Sequence, residues 1–504
     1  MFRLDPKQAV LDHVSTGAKR AEPSELSPLA IEIAARPVEP TYSPAVVVGV
    51  AQGVEAALLL LAGFGLMALG GGDPLVHAIT TLAVVALAHL GLNIAGMHRI
   101  AAFRTVTVQI WKSVAAWTGA FAALALLVVL FDGGQALSRS WIVAFWATGA
   151  IILAGYRFAL GTLVRRWTAQ GKLKRRTVIV GGGKDAEILI DAIRVGAADD
   201  ITLFGLFDDR NDDRSPESVA SLPKLGRVSD LIEFARRTRV DLVIVSMPLS
   251  AETRVLDMLK QLWVLPVDIR LSAHMSKLRF TQKAYSYVGD VPVFDMADRP
   301  ISDWNRVFKW LFDKVVAIVS LVLLSPVMIA TAIAIKLESK GPVFFKQKRH
   351  GFNNQLIEMY KFRSMRTDMT DANAVKLVTK DDPRVTKVGK FIRKTSIDEL
   401  PQLFNVLRGE LSIVGPRPHA LQAKADNQLY YEAVEGYFAR HRVKPGMTGW
   451  AQIHGWRGET DTVDKIMQRV NHDLYYIENW SLWLDIKIVA LTPVSLFTQR
   501  KNAF

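Results

Sequence analysis

Two adjacent acidic residues, Asp398 and Glu399, lie just before Pro401. Proline is tolerated only in the first turn of a helix, so the sequence predicts that both carboxylates lie at or very near a helix start. Free backbone N–H groups and the positive end of the helix dipole favour an ionised carboxylate and a bound phosphate at such a position. An ionised aspartate can attack phosphorus, and a neighbouring glutamate can bind Mg²⁺, which takes oxygen ligands. The pattern therefore indicates phosphoryl chemistry, with Asp398 as nucleophile and Glu399 as metal ligand.

The same acidic pair has a purely structural interpretation. Aspartate is a common helix cap, and Ser396 and Glu399 have the spacing of a capping box. Nearby basic residues favour the catalytic interpretation, because arginine forks bind phosphate oxygens bidentately and four cations suit a substrate with two phosphates. The candidate substrate-binding residues are Lys361, Arg363, Arg393 and Arg417, together with Pro416 and Pro418, which bracket Arg417 in a rigid turn.

The elements that carry this site begin with four apolar stretches, residues 45–69, 75–97, 106–131 and 141–163. Each has the roughly 20 residues that a helix needs to cross a bilayer. Basic residues from His98 to Arg104 and from Arg165 to Arg176 predict that these connections face the cytoplasm, whereas the glycine-containing loops at 71–73 and 132–134 face outward. The protein after Arg176, and a loosely ordered tail over 1–44, would then be cytoplasmic. The spans can serve only as an anchor, since we expect in them no buried acid–base pair of the kind that a transport path requires, but the sequence leaves a further role equally open.

A middle domain is predicted over residues 175–295. A β-branched run at 177–180 precedes Gly181-Gly182-Gly183 and a stretch with helical spacing, and further strand-like runs follow at 201–207 and 240–245. This order indicates a Rossmann-like unit, with Asp208 and Asp209 roughly where an acid would meet a ribose hydroxyl. The turn can equally serve only to let a helix pack closely on a sheet.

Residues 315–335 carry no charge and are long enough for a fifth crossing, but they contain Ser325-Pro326 at their middle. The proline kinks the helix, and basic residues on both flanks give no preferred direction of crossing. We therefore predict a re-entrant helix at about 308–337 that returns to the cytoplasmic face. A plain kinked crossing is the alternative, and it would put the basic C-terminal region outside the cell.

Composition limits the partners. The 504-residue chain has a net charge of +14, which indicates an anionic partner, and it has no cysteine, which excludes a disulfide framework, a thiolate zinc site and a cysteine nucleophile. The basic residues cluster beside apolar segments rather than along an exposed aromatic face, so nucleic acid is not expected as a partner.

The region 303–504 resembles the catalytic domain of the polyprenyl-phosphate hexose-1-phosphate transferases, the monotopic phosphoglycosyl transferases. The resemblance rests on the sequence SIDELPQLFNVLRGE at 396–410 and on GPRP at 415–418, and QIHGWRGETD at 452–461 resembles the undecaprenyl-phosphate glucose phosphotransferases, although His454 stands where Asn is often seen. Four N-terminal spans and a Rossmann-like insert resemble the large members, so the likeness covers nearly the whole chain.

The resemblance implies a membrane α/β fold with four N-terminal transmembrane helices, a Rossmann-like domain and a mostly helical catalytic domain with a re-entrant helix. It implies that Asp398 attacks the β-phosphate of a UDP-sugar, releases UMP and holds the sugar phosphate until polyprenyl phosphate displaces it. Glu399 would bind Mg²⁺, Arg393 would steady phosphate and Arg417 would contact the nucleotide. The enzyme would work at the cytoplasmic face of the bacterial inner membrane and begin exopolysaccharide or capsule synthesis. The sequence does not decide between a monomer and a homodimer.

Two other functions fit parts of the sequence. Membrane-bound nucleotide-sugar dehydratases and epimerases also join spans to Rossmann domains, but they use a Tyr-x-x-x-Lys pair, and none of the 10 tyrosines has a lysine four positions on. A non-enzymatic nucleotide sensor would leave Asp398-Glu399 as a cap. Release of UMP from a UDP-sugar separates both from a transferase.

Overall fold

A computed structural model describes most of the chain, and it divides into two compact units, residues 39–174 and the remainder. The described residues are 26–37, 41–70, 73–130, 137–195, 201–210, 216–247, 252–272, 286–288, 291–367, 383–419, 424–425, 428–430, 434, 437–458 and 462–498.

The first unit contains four long apolar helices, as predicted: α1 (Pro44–Gly70), α2 (Pro74–Ile94), α3 (Val106–Leu130) and α4 (Arg139–Ala169). A short helix, Ile100–Phe103, joins α2 to α3. The Arg165 Nε donates to the Arg104 carbonyl at 2.8 Å, so both predicted basic connections lie at one end of the bundle. The outward loop residues Gly71, Gly72 and 132–134 lie outside the described part of the chain.

The bundle holds a buried ion pair, so the expectation that the spans contain none is wrong. Glu55 Oε2 and Arg157 Nη2 are 2.6 Å apart, and the side chains are 1% and 0% exposed. Arg157 also donates to Gln109 Oε1 at 3.0 Å, and its Nη2 lies 3.2 Å from His98 Nε2. The two residues lie on different spans, far apart in the sequence, and they meet only because α1 packs against α4. Charged side chains in membrane bundles are usually paired in this way.

The middle of the second unit is a Rossmann-like layer, as predicted. Its strands are β1 (Arg175–Val180), β2 (Ile201–Phe207), β3 (Ser218–Val219), β4 (Leu222–Gly226), β5 (Leu242–Val245), β6 (Asp268–Ser272), β7 (Ser286–Val288) and β8 (Val291–Ala297). They form one sheet in the order β3-β4-β2-β1-β5-β6-β8-β7, in which β4, β2, β1, β5 and β6 are parallel and the edge strands are antiparallel. The helices are α5 (Lys184–Val195), α6 (Val228–Arg237) and α7 (Glu252–Leu262).

Part of the predicted loose tail is ordered. Residues Pro28–Ala35 form a helix that buries Ala30 and Ile33 in the core of the middle domain. The Ser27 hydroxyl caps this helix and donates to the Leu225 carbonyl at 2.7 Å. The apolar residues at one face of a short segment outweigh its proline content, so this stretch is structured; residues 1–25 lie outside the described chain.

The glycine turn after β1 is closed by the protein itself. Gly181 and Gly183 have φ of 98° and 83°, which glycine adopts readily, and the Gly182 N–H donates to Asp208 Oδ2 at 2.8 Å. Arg210 Nη2 also donates to Asp208 Oδ2 at 2.9 Å. The acid that the sequence places near a ribose therefore binds the glycine loop and an arginine.

The C-terminal region starts with α8 (Asp303–Glu338), which continues through Pro326. Proline lacks the N–H that would bond to Val322, and the Ser325 hydroxyl donates to that carbonyl at 2.9 Å. Ser325 thus satisfies the group that Pro326 leaves unpaired. An exposed apolar stripe runs along both halves of the helix: Val315, Ile318, Val319, Val322, Leu323, Ile329 and Ile333.

Both halves of α8 pack on the same small domain, which contains β9 (Phe344–His350), β10 (Leu356–Phe362), α9 (Lys387–Lys394), α10 (Gln402–Arg408), β11 (Ser412–Val414), β12 (Lys424–Ala425), β13 (Gln428–Leu429), β14 (Gly446–Thr448), α11 (Trp450–Ile453), α12 (Val463–Glu478) and α13 (Leu482–Thr498). Before the proline, the buried Lys309 Nζ donates to Asp485 Oδ2 at 2.7 Å and to the Val414 carbonyl at 3.0 Å. After it, Glu338 accepts from the first N–H groups of α9, at 2.7 and 3.0 Å.

Candidate active site

Asp398 and Glu399 lie in one turn of 3-10 helix, Ile397–Glu399, directly before α10, which begins after Pro401. The prediction that this pair lies near a helix start is confirmed. The capping box is absent, because the Ser396 side chain makes no capping bond; its hydroxyl accepts from Arg457 Nη2 at 2.7 Å instead. Ser396 itself has a φ of 59°, an uncommon left-handed conformation that turns the chain sharply before the acids.

Glu399 is held by two cations. Arg417 donates to Oε1 at 2.7 Å and to Oε2 at 3.3 Å, and Lys361 Nζ donates to Oε1 at 3.0 Å. Burial alone would raise the pKa of Glu399, but the charges and hydrogen bonds of these cations outweigh it and hold the pKa well below its usual range. The same pairing raises the pKa of Arg417. Glu399 therefore stays ionised and fixes the position of both cations.

Asp398 is different from its neighbour. No hydrogen bond or ion pair to its carboxylate is formed within the described chain, and the residue is partly exposed. Burial and the negative charge of Glu399 raise the pKa of Asp398 to about 6, against the lowering effect of nearby cations that include Lys361 and Arg393. The carboxylate is thus ionised near neutral pH, and no side chain in the described part of the structure is bonded to it in competition with an electrophile, which suits a nucleophile.

Arg417 is positioned by two short parallel strands, β11 and β14. The Gly415 N–H donates to the Thr448 carbonyl at 2.9 Å, and a Cβ on Gly446 would lie only 2.1 Å from the Gly415 nitrogen, so this approach requires glycine. The Pro416 carbonyl accepts from Gly446, which holds the proline-bracketed turn against β14. Pro416 therefore positions Arg417 through the backbone, whereas the carbonyl of Pro418 accepts from Arg349 at 3.4 Å.

The structure separates two of the predicted cations from the Glu399 cluster. Arg363 is buried and donates to the Ser339 carbonyl at 2.8 Å and to Thr367 Oγ1 at 2.8 Å, at the C-terminal end of α8, so the geometry gives it a helix-capping contact rather than a place beside the acids. Arg393 lies in the last turn of α9 and acts on Asp398 through its charge.

Sequence reasoning missed Arg457. Its Nη2 lies 4.0 Å from Glu399 Oε2 and donates to the Ser396 hydroxyl, so Arg457 is a further cation beside the acidic pair. The signal was an arginine between Trp456 and Gly458, in a stretch that the sequence analysis used only to compare sugars.

The predicted binding of Mg²⁺ by Glu399 does not fit this arrangement. Both oxygens of Glu399 already contact cationic groups, so an ion there would be placed beside Arg417 and Lys361. The free oxygen ligands that the described site offers are on Asp398.

Known protein families and individual proteins are similar in sequence to this chain. The family described as "Bacterial sugar transferase" matches residues 304–499, and the family described as "CoA-binding domain" matches residues 93–273. The "UDP-glucose:undecaprenyl-phosphate glucose-1-phosphate transferase" of Escherichia coli (strain K12) is 36% identical over 431 residues, which cover 81% of this chain and 91% of that protein. The protein of the same name from Xanthomonas campestris pv. campestris is 36% identical, over 76% of this chain and 79% of its own length.

A further relative, "Undecaprenyl-phosphate glucose phosphotransferase" of Komagataeibacter xylinus, is 41% identical over 69% of this chain, and the match spans 64% of that longer protein. The match to the family covers the acidic pair, its cations and the helix that leads to them. This chain therefore belongs to the bacterial sugar transferase family and is a transferase.

Proposed function

We propose that the chain transfers a hexose 1-phosphate, most simply glucose 1-phosphate, from a UDP-sugar to undecaprenyl phosphate and releases UMP. The observation that carries the proposal is the contrast between two adjacent carboxylates: Glu399 is paired with Arg417 and Lys361, whereas Asp398 has no hydrogen-bond or ion-pair partner among the described residues. The relatives whose names state this reaction support the substrates.

The reaction proceeds in two displacements. A carboxylate oxygen of Asp398 attacks the β-phosphorus; a P–O bond forms, the bond to the bridging oxygen breaks, and UMP leaves with the electron pair. An oxygen of the lipid phosphate then attacks the same phosphorus, the acyl-phosphate bond breaks, and Asp398 is regenerated as a carboxylate. The protein's contribution is to hold the nucleophile and to stabilise charge on the phosphoryl oxygens.

The surrounding cations have separate tasks. Arg417 and Lys361, fixed by Glu399, provide preorganised charge for the diphosphate, and Arg457 adds a third donor on the Ser396 side. Arg393 adds positive charge near Asp398. Because Glu399 is already paired, Mg²⁺ enters this proposal only as an ion carried by the donor's diphosphate, and no step depends on a protein ligand to it.

The membrane arrangement follows from the substrates. UDP-sugars are cytoplasmic, so we place the catalytic domain on the inner face of the inner membrane, with α8 re-entrant rather than crossing. Three observations support this: both halves of α8 pack on the same domain, an apolar stripe spans Pro326, and Ser325 satisfies the carbonyl freed by the proline. In this position the enzyme would begin the assembly of a surface polysaccharide.

The test uses purified full-length protein in nanodiscs. UDP-glucose, UDP-galactose and the N-acetylated sugars are screened for UMP release with undecaprenyl phosphate, and the enzyme is then mixed with the best donor alone. We expect one equivalent of UMP and a sugar-phosphate adduct on the peptide that contains Asp398. An active enzyme that never carries this adduct would contradict the covalent route, and the absence of UMP with every donor would contradict the reaction.

A further inference from the structure

A second group of basic residues surrounds His419, and it is joined to Arg417 by a hydrogen bond from Arg440 to the Arg417 carbonyl. Arg349 lies near the end of β9, Arg440 in the 3-10 helix Tyr437–Arg442 and Arg469 in α12. The side chains of His419, Arg440 and Arg469 are buried. None of these residues has a role in the mechanism above.

Among the described residues, two of the arginines of this region form an ion pair with a carboxylate and two do not. Arg417 pairs with Glu399, and Arg440 Nη2 pairs with Asp473 Oδ2 at 2.5 Å. Arg349 donates to Gln347 Oε1 at 2.6 Å and to the Pro418 carbonyl at 3.4 Å, and it forms no ion pair with a described residue.

Arg469 is the second cation without a carboxylate. It donates to the Gly458 carbonyl at 2.6 Å and forms no ion pair within the described part of the chain. The Nε atoms of both Arg349 and Arg469 are buried without a hydrogen-bond partner. Glu399 and Asp473 act on Arg349 and Arg469 only from beyond ion-pair distance, and burial outweighs them and lowers the pKa of each arginine to about 10. A bound anion would offset this cost of burial.

His419 lies between Arg440 and Arg469 and is a hydrogen-bond partner of both. Arg440 Nη1 lies 2.5 Å from its Nδ1, and Arg469 Nη1 lies 2.9 Å from its Nε2. Burial and the surrounding arginine charges hold the pKa of His419 well below its usual range, so the ring is neutral and has one acceptor nitrogen for two donors. His419 Nδ1 also lies 2.9 Å from the Tyr437 hydroxyl, and Arg440 has Asp473 and the Arg417 carbonyl, at 2.7 Å, as further acceptors. The acceptor nitrogen of the ring is therefore Nε2, which accepts from Arg469, so the hydrogen-bond acceptors of Arg469 among the described residues are all neutral.

Arg349 and Arg469, which form no ion pair with a described residue, both contact segments that carry cations of the reaction centre. Arg349 contacts Pro418, the residue after Arg417, and Arg469 contacts Gly458, the residue after Arg457. Planar guanidinium forks bind phosphate oxygens bidentately. We propose that Arg349 and Arg469 form a second phosphate subsite, which binds a phosphate monoester beside the diphosphate attacked by Asp398. The inference rests on the proposed function, in which two such groups occur: the phosphate of the lipid acceptor and that of the departing UMP.

The first test needs no turnover. Inorganic phosphate is titrated into full-length wild type, Arg349→Gln, Arg469→Gln and the surface control Arg237→Gln in nanodiscs, and the melting temperature is followed. We expect saturable stabilisation of wild type and control and at least a tenfold weaker phosphate response in both variants. Without phosphate, the variants should be as stable as wild type or more so, because each loses a buried cation whose hydrogen-bond acceptors among the described residues are neutral. Variants that melt lower but respond normally to phosphate would show a structural role and overturn the subsite.

The second test distinguishes the two sources. If the subsite binds the phosphate of the lipid acceptor, both variants raise the KM for undecaprenyl phosphate about tenfold more than the KM for the UDP-sugar. Arg349→Lys then recovers part of the lost affinity for undecaprenyl phosphate. In the nucleotide case, the inhibition constant of UMP rises about tenfold more than the acceptor KM. Equal changes in all three constants, or none, overturn the proposal. A wild-type enzyme that binds phosphate but releases no UMP would instead refute the proposed function.

Discussion

Arg417 grips both carboxylate oxygens of Glu399, at 2.7 and 3.3 Å, while the carboxylate one residue earlier in the chain has no partner among the described residues. Two neighbouring acids thus have opposite electrostatic environments. One has a pKa well below its usual range and the other a pKa of about 6. Divergence of this kind separates a residue that holds cations from one that reacts.

Asp398→Asn should abolish UMP release and stabilise the protein. The folded-state pKa of Asp398 lies above its ordinary value of 3.8, so ionisation opposes folding, and this penalty grows as pH rises from 3.8 to about 6. Removing the charge should raise the free energy of unfolding at neutral pH by roughly 1–2 kcal/mol. Thermal melting at about pH 4.5 and 7.5 checks this, with the exposed Asp257→Asn as control. A variant less stable at the higher pH would contradict the burial argument.

The first displacement should depend on pH through Asp398. Because its pKa is about 6, the reactive carboxylate is lost as pH falls through that value, whereas Glu399 remains ionised. Single-turnover UMP release, measured between about pH 5 and 8, should be flat at the alkaline end and decline about tenfold per unit well below the pKa. A rate constant that holds its plateau down to pH 5 would mean that another group supplies the nucleophile.

Arg417→Lys should weaken catalysis without unfolding the domain. A lysine keeps the charge but loses the two-point grip on Glu399, so the carboxylate and Lys361 lose their fixed geometry. We expect kcat to fall by roughly 10- to 100-fold, with a smaller change in the KM for the UDP-sugar. Arg408→Lys, whose guanidinium meets the Tyr360 hydroxyl at 2.6 Å on α10, is the matched control. Equal losses in both variants would indicate a general effect on packing.

The contribution of Arg457, which the sequence analysis did not identify as a site residue, can be tested by substitution. Its bond to the Ser396 hydroxyl and its approach to Glu399 make it the cation on that side of the acids. Arg457→Gln should lower kcat/KM for the UDP-sugar by about 10- to 100-fold. Ser396→Ala, which removes only the acceptor of that bond, should have a weaker effect, and the reverse order would show that Arg457 serves mainly to hold Ser396.

Local signals in the sequence were sufficient for the elements and for the acidic pair. Pro401 placed Asp398 before a helix, and hydrophobic length gave α1 to α4, because both depend on neighbouring residues. Pairings across the chain were not predictable in this way. Arg363 and Arg457 each follow an aromatic residue directly, yet tertiary packing directs one to the end of α8 and the other to Glu399.

The Glu55–Arg157 ion pair in the helix bundle was likewise not predictable from local sequence, and the interaction energy of the two side chains can be measured. Glu55→Gln or Arg157→Met alone leaves a buried charge without its partner, so each should lower the free energy of unfolding by about 3 kcal/mol or more. The double variant Glu55→Gln/Arg157→Met removes both charges and should lose less than the sum of the single losses. Thermal or denaturant unfolding of the four proteins in one detergent gives the coupling energy. Strict additivity would mean that the two side chains do not interact in the folded bundle, and that the packing of α1 on α4 differs from the one described.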